Sequence, residues 1–385
     1  MKKIQCVLIV GGGIGGLTLA AALGQRGILA EIVEIKPENK VLGVGIIQPG
    51  NALRALDSIG VMDDCLAAGF PTDEYRYFDG PGNLLAKLNL LRIADPRKPA
   101  INTLPRPALH RILVGAAERA GAKIHLGTTV ADLRQHDAGV DVTLSDGSQA
   151  TYDLVVGADG IRSPIRKLIF GDRFEPNFTG HGVWRFTAAR PPELTYHAIY
   201  LGTGLKAGLI PLTNETLYLL LVSNEPGNPR KPPEDLLPEL KRKLASFGGL
   251  VPKVVESLDA ATEVIYVPIE EVILPAPWSV GRVVLIGDAA HASGPHIAQG
   301  AAMAIEDAIV LAELAAETTP VSELFRRFAK RRYERCKFVQ DVSRELGIEG
   351  NLEDLEACRR RNERIAAVFA TPQSRPHETR LAEPI

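Results

Sequence analysis

Ile4-Gln5-Cys6-Val7-Leu8-Ile9-Val10-Gly11-Gly12-Gly13-Ile14-Gly15-Gly16 is the stretch that decides the fold. The run from Ile4 to Val10 is apolar enough for a strand buried on both faces of a parallel sheet. Gly11, Gly13 and Gly16 then fit G-x-G-x-x-G. In that pattern the first glycine permits a tight turn, the second lets a pyrophosphate approach the backbone, and the third lets helix pack on strand. The spacing predicts a helix from about Ile14 to Gln25, stopped at Gly27. Its N-terminus offers free N–H groups and a positive dipole end to phosphates. A second strand, Ala30 to Ile35, carries Glu34 about 20 residues past the glycines, where a carboxylate holds ribose hydroxyls. Strand, glycines, helix, strand and acid together predict a dinucleotide site in an α/β fold.

Two other readings compete for the same residues. Lys2 and Lys3 ahead of the uncharged Cys6–Gln25 stretch resemble an export signal, with Ala20-Ala21-Ala22 as its cleavage site. The stretch also has the length of a membrane span, but it contains six glycines. The glycine spacing and Glu34 account for these residues better than either.

Composition sets outer bounds. A chain of 385 residues, 45% hydrophobic and 23% charged, can bury a full core and has the balance of a soluble protein of about two domains. A formal net charge of −2 leaves no electrostatic footprint for nucleic acid. Cys6, Cys65, Cys336 and Cys358 lack metal-site spacing, which fits free thiols in a cytoplasmic protein without a metal.

Two further segments repeat the strand-to-glycine theme. Asp153-Leu154-Val155-Val156-Gly157-Ala158-Asp159-Gly160 runs into a turn followed by Arg162, Ser163 and Arg166, and arginines there suit phosphates. The bland alternative is a tight turn with surface arginines. Val283-Val284-Leu285-Ile286-Gly287-Asp288 places an acid at the carboxyl end of a parallel strand, where ligands of such sheets bind. Pro295-His296-Ile297-Ala298-Gln299-Gly300 then leads into a helix from Ala301, whose N-terminus supports negative charge on a bound ring. Between these segments, from Phe174 to about Val272, strand-like runs broken by prolines predict an inserted antiparallel sheet. Asp79-Gly80-Pro81-Gly82-Asn83 marks a hairpin belonging with it. Residues 1–73, 101–173 and 276–320 are expected to form a discontinuous Rossmann-like domain, and 74–100 with 174–275 the substrate-binding sheet domain. Residues 321–385 are expected to give C-terminal helices and a loosely attached tail, with Arg326, Arg327, Lys330, Arg331 and Arg332 on a solvated face.

These three segments, in this order, resemble the class A flavoprotein monooxygenases, the single-component FAD-dependent aromatic hydroxylases of the p-hydroxybenzoate hydroxylase type. Gly11-x-Gly13-x-x-Gly16 is similar to the family's ADP-binding fingerprint, Gly157-Ala158-Asp159-Gly160 to its "DG" motif, and Gly287-Asp288-Ala289-Ala290-His291 to its "GD" motif. Arg106-Pro107-Ala108-Leu109 resembles the R-x-x-L whose arginine contacts the flavin. The resemblance implies that FAD is held by Gly11, Gly13, Ile14, Gly15, Gly16, Glu34 and Ile35 at the first segment. It implies further contacts from Lys40, Gly45, Ile46, Arg106, Val130, Asp159 and Gly160, and then from Asp288, Pro295, Gln299, Gly300 and Ala301. Lys40 stands where the family usually has arginine, Ala292 where it usually has proline, and Ala298-Gln299-Gly300 where it usually has Gly-Gln-Gly. Pro-His-x-Ala-Gln-Gly-Ala resembles a branch acting on hydroxypyridine carboxylates, of the 6-hydroxynicotinate 3-monooxygenase kind.

The activity so implied is hydroxylation of a small aromatic or heteroaromatic acid. NADH or NADPH would reduce FAD, and O2 would react through a flavin C4a-hydroperoxide that water exclusion protects. No second dinucleotide fingerprint is present, so the nicotinamide would bind transiently. Arg185 is a candidate partner for a substrate carboxylate, and His296 and Tyr218 candidates for hydrogen bonding a phenol. Trp184, Tyr196, His197 and Tyr200 complete the set of pocket candidates. A monomer or homodimer, with no membrane or nucleic-acid partner, is expected. Competing functions keep the flavin and change the rest. They are a reductase, a halogenase, a ubiquinone-pathway hydroxylase, an oxidoreductase for a larger or non-aromatic substrate, or a non-catalytic flavin redox module. Trp184 and Trp278 are far apart, so the W-x-W-x-I-P of related halogenases is missing, and Ala301-Ala302-Met303-Ala304 replaces the G-L-N-x-G of ubiquinone hydroxylases.

Overall fold

The computed structural model describes residues 3–39, 43–370 and 375–385; Lys40 lies outside the described residues. The first apolar run becomes the strand Cys6–Val10, in which Leu8 and Ile9 are fully buried. It sits inside a six-stranded sheet ordered Ser279–Val280, Val283–Leu285, Leu154–Gly157, Cys6–Val10, Leu29–Glu34, Lys123–Leu126. Every neighbouring pair is parallel except the first. The three glycine segments therefore follow three adjacent strands and converge at one edge of the sheet, where such folds bind ligands. The Ile14–Gly24 helix is apolar nearly all round, and it lies between the Gly300–Ala315 and Arg106–Arg119 helices. The stretch that resembled an export signal is thus a core strand and a core helix.

The second large sheet has seven strands, ordered Ile265–Glu271, Asn177–Ala189, Thr216–Asn224, Leu205–Pro211, His197–Leu201, Glu74–Asp79, Leu84–Asn89. The Asp79–Asn83 turn closes the hairpin expected of it. Strand alternation sorts Val183-Trp184-Arg185-Phe186. Trp184 and Phe186 enter a core with Leu240, Leu244 and Val254 of the covering helices, while Val183 and Arg185 face the central cleft.

Gly45–Pro49 is a strand antiparallel to Ile101–Pro105. Its glycine is needed because a Cβ on Gly45 would lie 2.5 Å from Cδ1 of Tyr218. The C-terminal part is not a loose tail: Val321–Gly350, Leu355–Val368 and Pro376–Ala382 are helices. The last is strapped down by arginines that donate to its carbonyls, Arg54 to Ala382 O at 2.8 Å and Arg335 to Leu381 O at 2.7 Å. Arginine-to-carbonyl bonds of this kind leave no periodicity in the sequence. Among the described residues no helix is long and apolar enough to cross a membrane.

Candidate active site

Each glycine of the first segment has a separate task. Gly11 has φ +112°, and a Cβ there would stand 2.4 Å from Ala158 O, so this glycine lets the first and second segments touch. A Cβ on Gly16 would stand 2.1 Å from Gly11 O, which is the close helix–strand approach. Gly13 is different: nothing lies within 4 Å of its Cβ position, which opens on a cleft. That cleft encloses about 1330 Å³ including its mouth. Gly13, Ile14, Gly15, Gly45, Ile46, Arg106, Gly160, Asp288, Pro295, Gly300 and Ala301 all line it. The Ile14–Gly24 and Gly300–Ala315 helices both begin at the cleft, and neither has a side chain capping its N-terminus. Two uncapped N-termini in one cleft suit an elongated anionic ligand.

Arg106 and Asp288 line the cleft together. Burial raises the Asp288 carboxyl, and the charges of His291 and Arg106 oppose that rise. Burial lowers Arg106, and Asp288 opposes it. Asp288 has solvent-accessible surface because the cleft is open, yet it is hemmed in by protein, which is why it feels dehydration. A Cβ on Gly43 would lie 2.8 Å from Arg106 Cδ, so glycine there makes room for the arginine.

The other expected residues fall in several places. Glu34 accepts from Gly12 N at 2.9 Å and from Lys36 N at 3.0 Å, fixing its carboxylate at the turn. Ile35 follows it, exposed, and Val130 is buried in the core. Gln299 does not line the cleft; its amide exchanges two hydrogen bonds with Asn51, at 3.0 and 3.1 Å. Asp159 is turned onto its own backbone, where it accepts from the Ser163 hydroxyl and from Ile165 N at 2.9 Å. The arginines expected near phosphates do something else. Arg162 pairs with Glu270 at the surface, and buried Arg166 donates to Ile161 O and Ala289 O, bridging the second and third segments. Tyr218 and Arg185 line the cleft. Trp184, Tyr196 and Tyr200 pack on the opposite side of the sheet.

A second cavity, of about 740 Å³ including its mouth, adjoins the first and shares Ile47, Leu220, Pro295 and Ala298 with it. Its walls are mostly apolar, from Ile199, Ile210, Val222, Leu346 and Ile365, with Tyr75 and Tyr77. His296 lies here rather than in the first cleft, and its Nδ1 is 2.8 Å from Lys206 Nζ. Lys206 was not singled out from the sequence. Its signal was a lone lysine inside the apolar run Leu205–Pro211. His197 lies in neither lining; it is fully buried and bonded to Thr103 Oγ1 at 2.9 Å.

Below the cleft lies a buried ionic network with no counterpart in the sequence reading. Asp307 accepts from Gly287 N at 2.9 Å, His291 Nε2 at 2.6 Å and Arg332 Nε at 2.7 Å. Arg332 also reaches Glu306, which holds Arg335 and Asn51. The third glycine segment is thereby tied to the long C-terminal helix.

The residues present fit FAD: an open glycine for the pyrophosphate, two free helix N-termini, and an acid and an arginine farther along the same cleft. The comparisons agree. The FAD binding domain family model matches residues 5–342, and the chain belongs to that family. It is 35% identical over 342 residues to YetM of Bacillus subtilis, named as a putative FAD-dependent monooxygenase, covering 88% of this chain and 92% of that one. It is 31% identical over 378 residues to 2-heptyl-3-hydroxy-4(1H)-quinolone synthase of Pseudomonas aeruginosa, covering 97% and 96%. It is 31% identical over 351 residues to 3-hydroxybenzoate 6-hydroxylase 1 of Aquipseudomonas alcaligenes, covering 88% and 87%. Among solved structures, Klebsiella pneumoniae HpxO complexed with FAD and uric acid shares the fold, with a TM-score of 0.85 at 24% identity over 94% of this chain and 93% of that one. The protein is a flavoprotein of the FAD-dependent monooxygenase and aromatic hydroxylase family, and its cofactor is FAD.

Asp288→Ala should weaken FAD retention about tenfold or more, in line with loss of a charged hydrogen-bonding group of about 1.5–3 kcal/mol. The ratio of flavin absorbance to protein after dialysis measures it. Full yellow occupancy would remove Asp288 from the cofactor's contacts.

Proposed function

We propose that this chain is an NAD(P)H-dependent monooxygenase that hydroxylates a small aromatic or heteroaromatic substrate bearing a carboxylate. The observation that carries the reading is the pair of joined cavities: a glycine-walled cleft fit for FAD, and beside it a mostly apolar pocket sharing four wall residues. FAD, once reduced by a nicotinamide, supplies the activation of O2 for attack on an electron-rich ring. The chain's own residues do the rest. The N-termini beginning at Ile14 and Gly300 hold negative charge in the cleft. Ile47, Leu220, Pro295 and Ala298 form the shared wall across which a ring would meet the cofactor, and the apolar pocket behind them keeps water off the reacting atoms. Relatives named for hydroxybenzoate and urate hydroxylation support this class of substrate.

The holoenzyme should oxidise NADH or NADPH slowly alone and about tenfold or more faster with one member of a panel of hydroxybenzoates and hydroxypyridine carboxylates, where binding energy positions the ring. The product should gain one oxygen atom by mass spectrometry. Nicotinamide oxidation that no aromatic compound stimulates would overturn the proposal and leave only a flavoprotein.

A further inference from the structure

Among the described residues, the second cavity holds a buried cation that no carboxylate answers. Lys206 is 8% exposed, and its hydrogen bond runs to a neutral acceptor, His296 Nδ1 at 2.8 Å. The His181 ring stands edge-on to His296, 6.0 Å between centroids, adding a third base. The remaining charged groups of this wall are accounted for. Arg361 donates to Glu349 O, Leu201 O and Gly202 O, Arg375 pairs with Glu378 at 2.7 Å, and Glu349 pairs with Arg364. Tyr75 and Tyr77 complete the titratable groups of the lining, and Tyr75 lies under Arg375. An ammonium buried without a counterion is costly, and that cost is relieved by an anion that brings its own charge.

We propose that Lys206, held in place by His296, is the seat for an anionic oxygen on the aromatic substrate, and that this lysine rather than Arg185 sets the preference for acidic over neutral rings. This rests on the reading of the second cavity as the substrate pocket.

The geometry supports the placement. Lys206 lies opposite Val222 in the sheet register, while Leu220, two residues back along the same strand, belongs to the wall shared with the flavin cleft. Two strand residues span about 7 Å, roughly the width of one aromatic ring. A ring lying against Leu220 and Val222 therefore reaches Lys206 with one edge while the other faces the cofactor. Arg185 lines the flavin cleft instead. His296 is a positioning residue. A Cβ on Gly347 would stand 2.6 Å from its Nε2 and one on Gly294 would stand 2.9 Å from its Cδ2, so two glycines clear the space that fixes the imidazole. Burial, reinforced by Lys206, holds His296 well below its usual range, which keeps it neutral and able to accept.

Burial also brings the Lys206 ammonium down to about 7. The anion favours the protonated lysine, so binding an acid takes up a proton once the pH exceeds that value. Affinity for the acid should then fall about tenfold per pH unit above about 7, while affinity for a neutral analogue stays flat or rises.

The test is equilibrium binding to the oxidised holoenzyme, read from flavin absorbance between pH 6 and 9, with 3-hydroxybenzoate, its neutral amide 3-hydroxybenzamide, and benzoate. In the parent, the acids should bind about tenfold or more tighter than the amide at pH 6.5, with the decline above about 7 just described. Benzoate, which lacks the ring hydroxyl, should keep the advantage over the amide, because the carboxylate is the seated group; acids that bind no better than the amide in the parent would overturn the seat. Lys206→Met should equalise acid and amide. Lys206→Arg should keep the preference and lose the pH dependence, because guanidinium stays charged. If the acids bind and Lys206→Met, with normal FAD content, keeps the preference, the seat is overturned while the pocket stands. If no member of the wider hydroxybenzoate and hydroxypyridine panel perturbs the flavin, the small-aromatic reading fails and the seat fails with it.

Discussion

An Arg332→Met variant should lose about 3–5 kcal/mol of stability, the cost of breaking a buried ionic network by removing one partner. Arg332 is fully buried and bridges two acids, Asp307 at 2.7 Å and Glu306 at 2.7 Å. Burial by itself raises the Asp307 carboxyl, but the charges of His291 and Arg332 outweigh it and bring the group down to about 2. Without Arg332 the balance moves toward burial. Glu306 is partly protected, because Arg335 and Asn51 still reach it. The measurement is the urea unfolding midpoint at pH 7. The sign with pH follows from the depressed folded pKa. The stabilisation from ionised Asp307 is complete above its unfolded value of about 4 and is lost as the pH falls toward 2, so variant and parent should converge there. An unchanged midpoint at pH 7 would show that the network contributes nothing net. A secondary effect is expected at the site. Asp307 accepts from Gly287 N, so loosening it should also weaken FAD through the Gly287-Asp288 turn.

How far sequence reached into this molecule follows from the kind of signal each part leaves. Cys6–Val10 and the glycines after it were legible because strand burial and close backbone approach both restrict residue type at fixed spacing. Asp288 and Arg106 were legible on motif resemblance, and the structure places both on the cleft. Arg185 and Trp184 show the limit of such reading. One residue apart, both were pocket candidates, yet alternation sends one to the cleft and the other into the opposite core, and the phase is set by the partner strands. Lys206 and His296 are 90 residues apart and meet only through the fold. Arg332 read as one of a run of surface basics. The run does line the surface at Arg326 and Arg327, which pair with Glu323 and Glu317, but Arg332, five residues past Arg327, lies about 140° farther round the helix and turns inward to the acids of another helix. Charge alone could not show that, because a buried arginine is defined by its partners.

Gly13→Val should abolish FAD retention, with the affinity falling at least about a hundredfold, while the apoprotein keeps its fold. What each glycine faces decides which of these, the cofactor or the fold, it serves. Gly13 has φ −81° and ψ −173°, an extended conformation open to any residue, and nothing lies within 4 Å of its Cβ position. The Cβ of a valine therefore meets no described atom beyond its chain neighbours, and the added bulk falls at the wall of the cleft, where the pyrophosphate would approach the backbone. Gly13 also precedes the first helix, and valine at that position costs about 1 kcal/mol, too little to unfold a domain of this size. Gly11→Ala and Gly16→Ala are the controls. Their added methyls would stand 2.4 Å from Ala158 O and 2.1 Å from Gly11 O, so these variants should damage the fold as well as the cofactor site. Flavin content, FAD titration of the apoprotein and far-UV circular dichroism separate the cases. A Gly13→Val protein that purifies fully yellow would mean the pyrophosphate does not pass Gly13, and the whole path of the cofactor from Glu34 to Asp288 would have to be redrawn. A colourless, folded Gly13→Val protein beside poorly folded Gly11→Ala and Gly16→Ala proteins would divide one glycine motif into its two physical jobs: room for a ligand at one position, and room for the chain itself at the others.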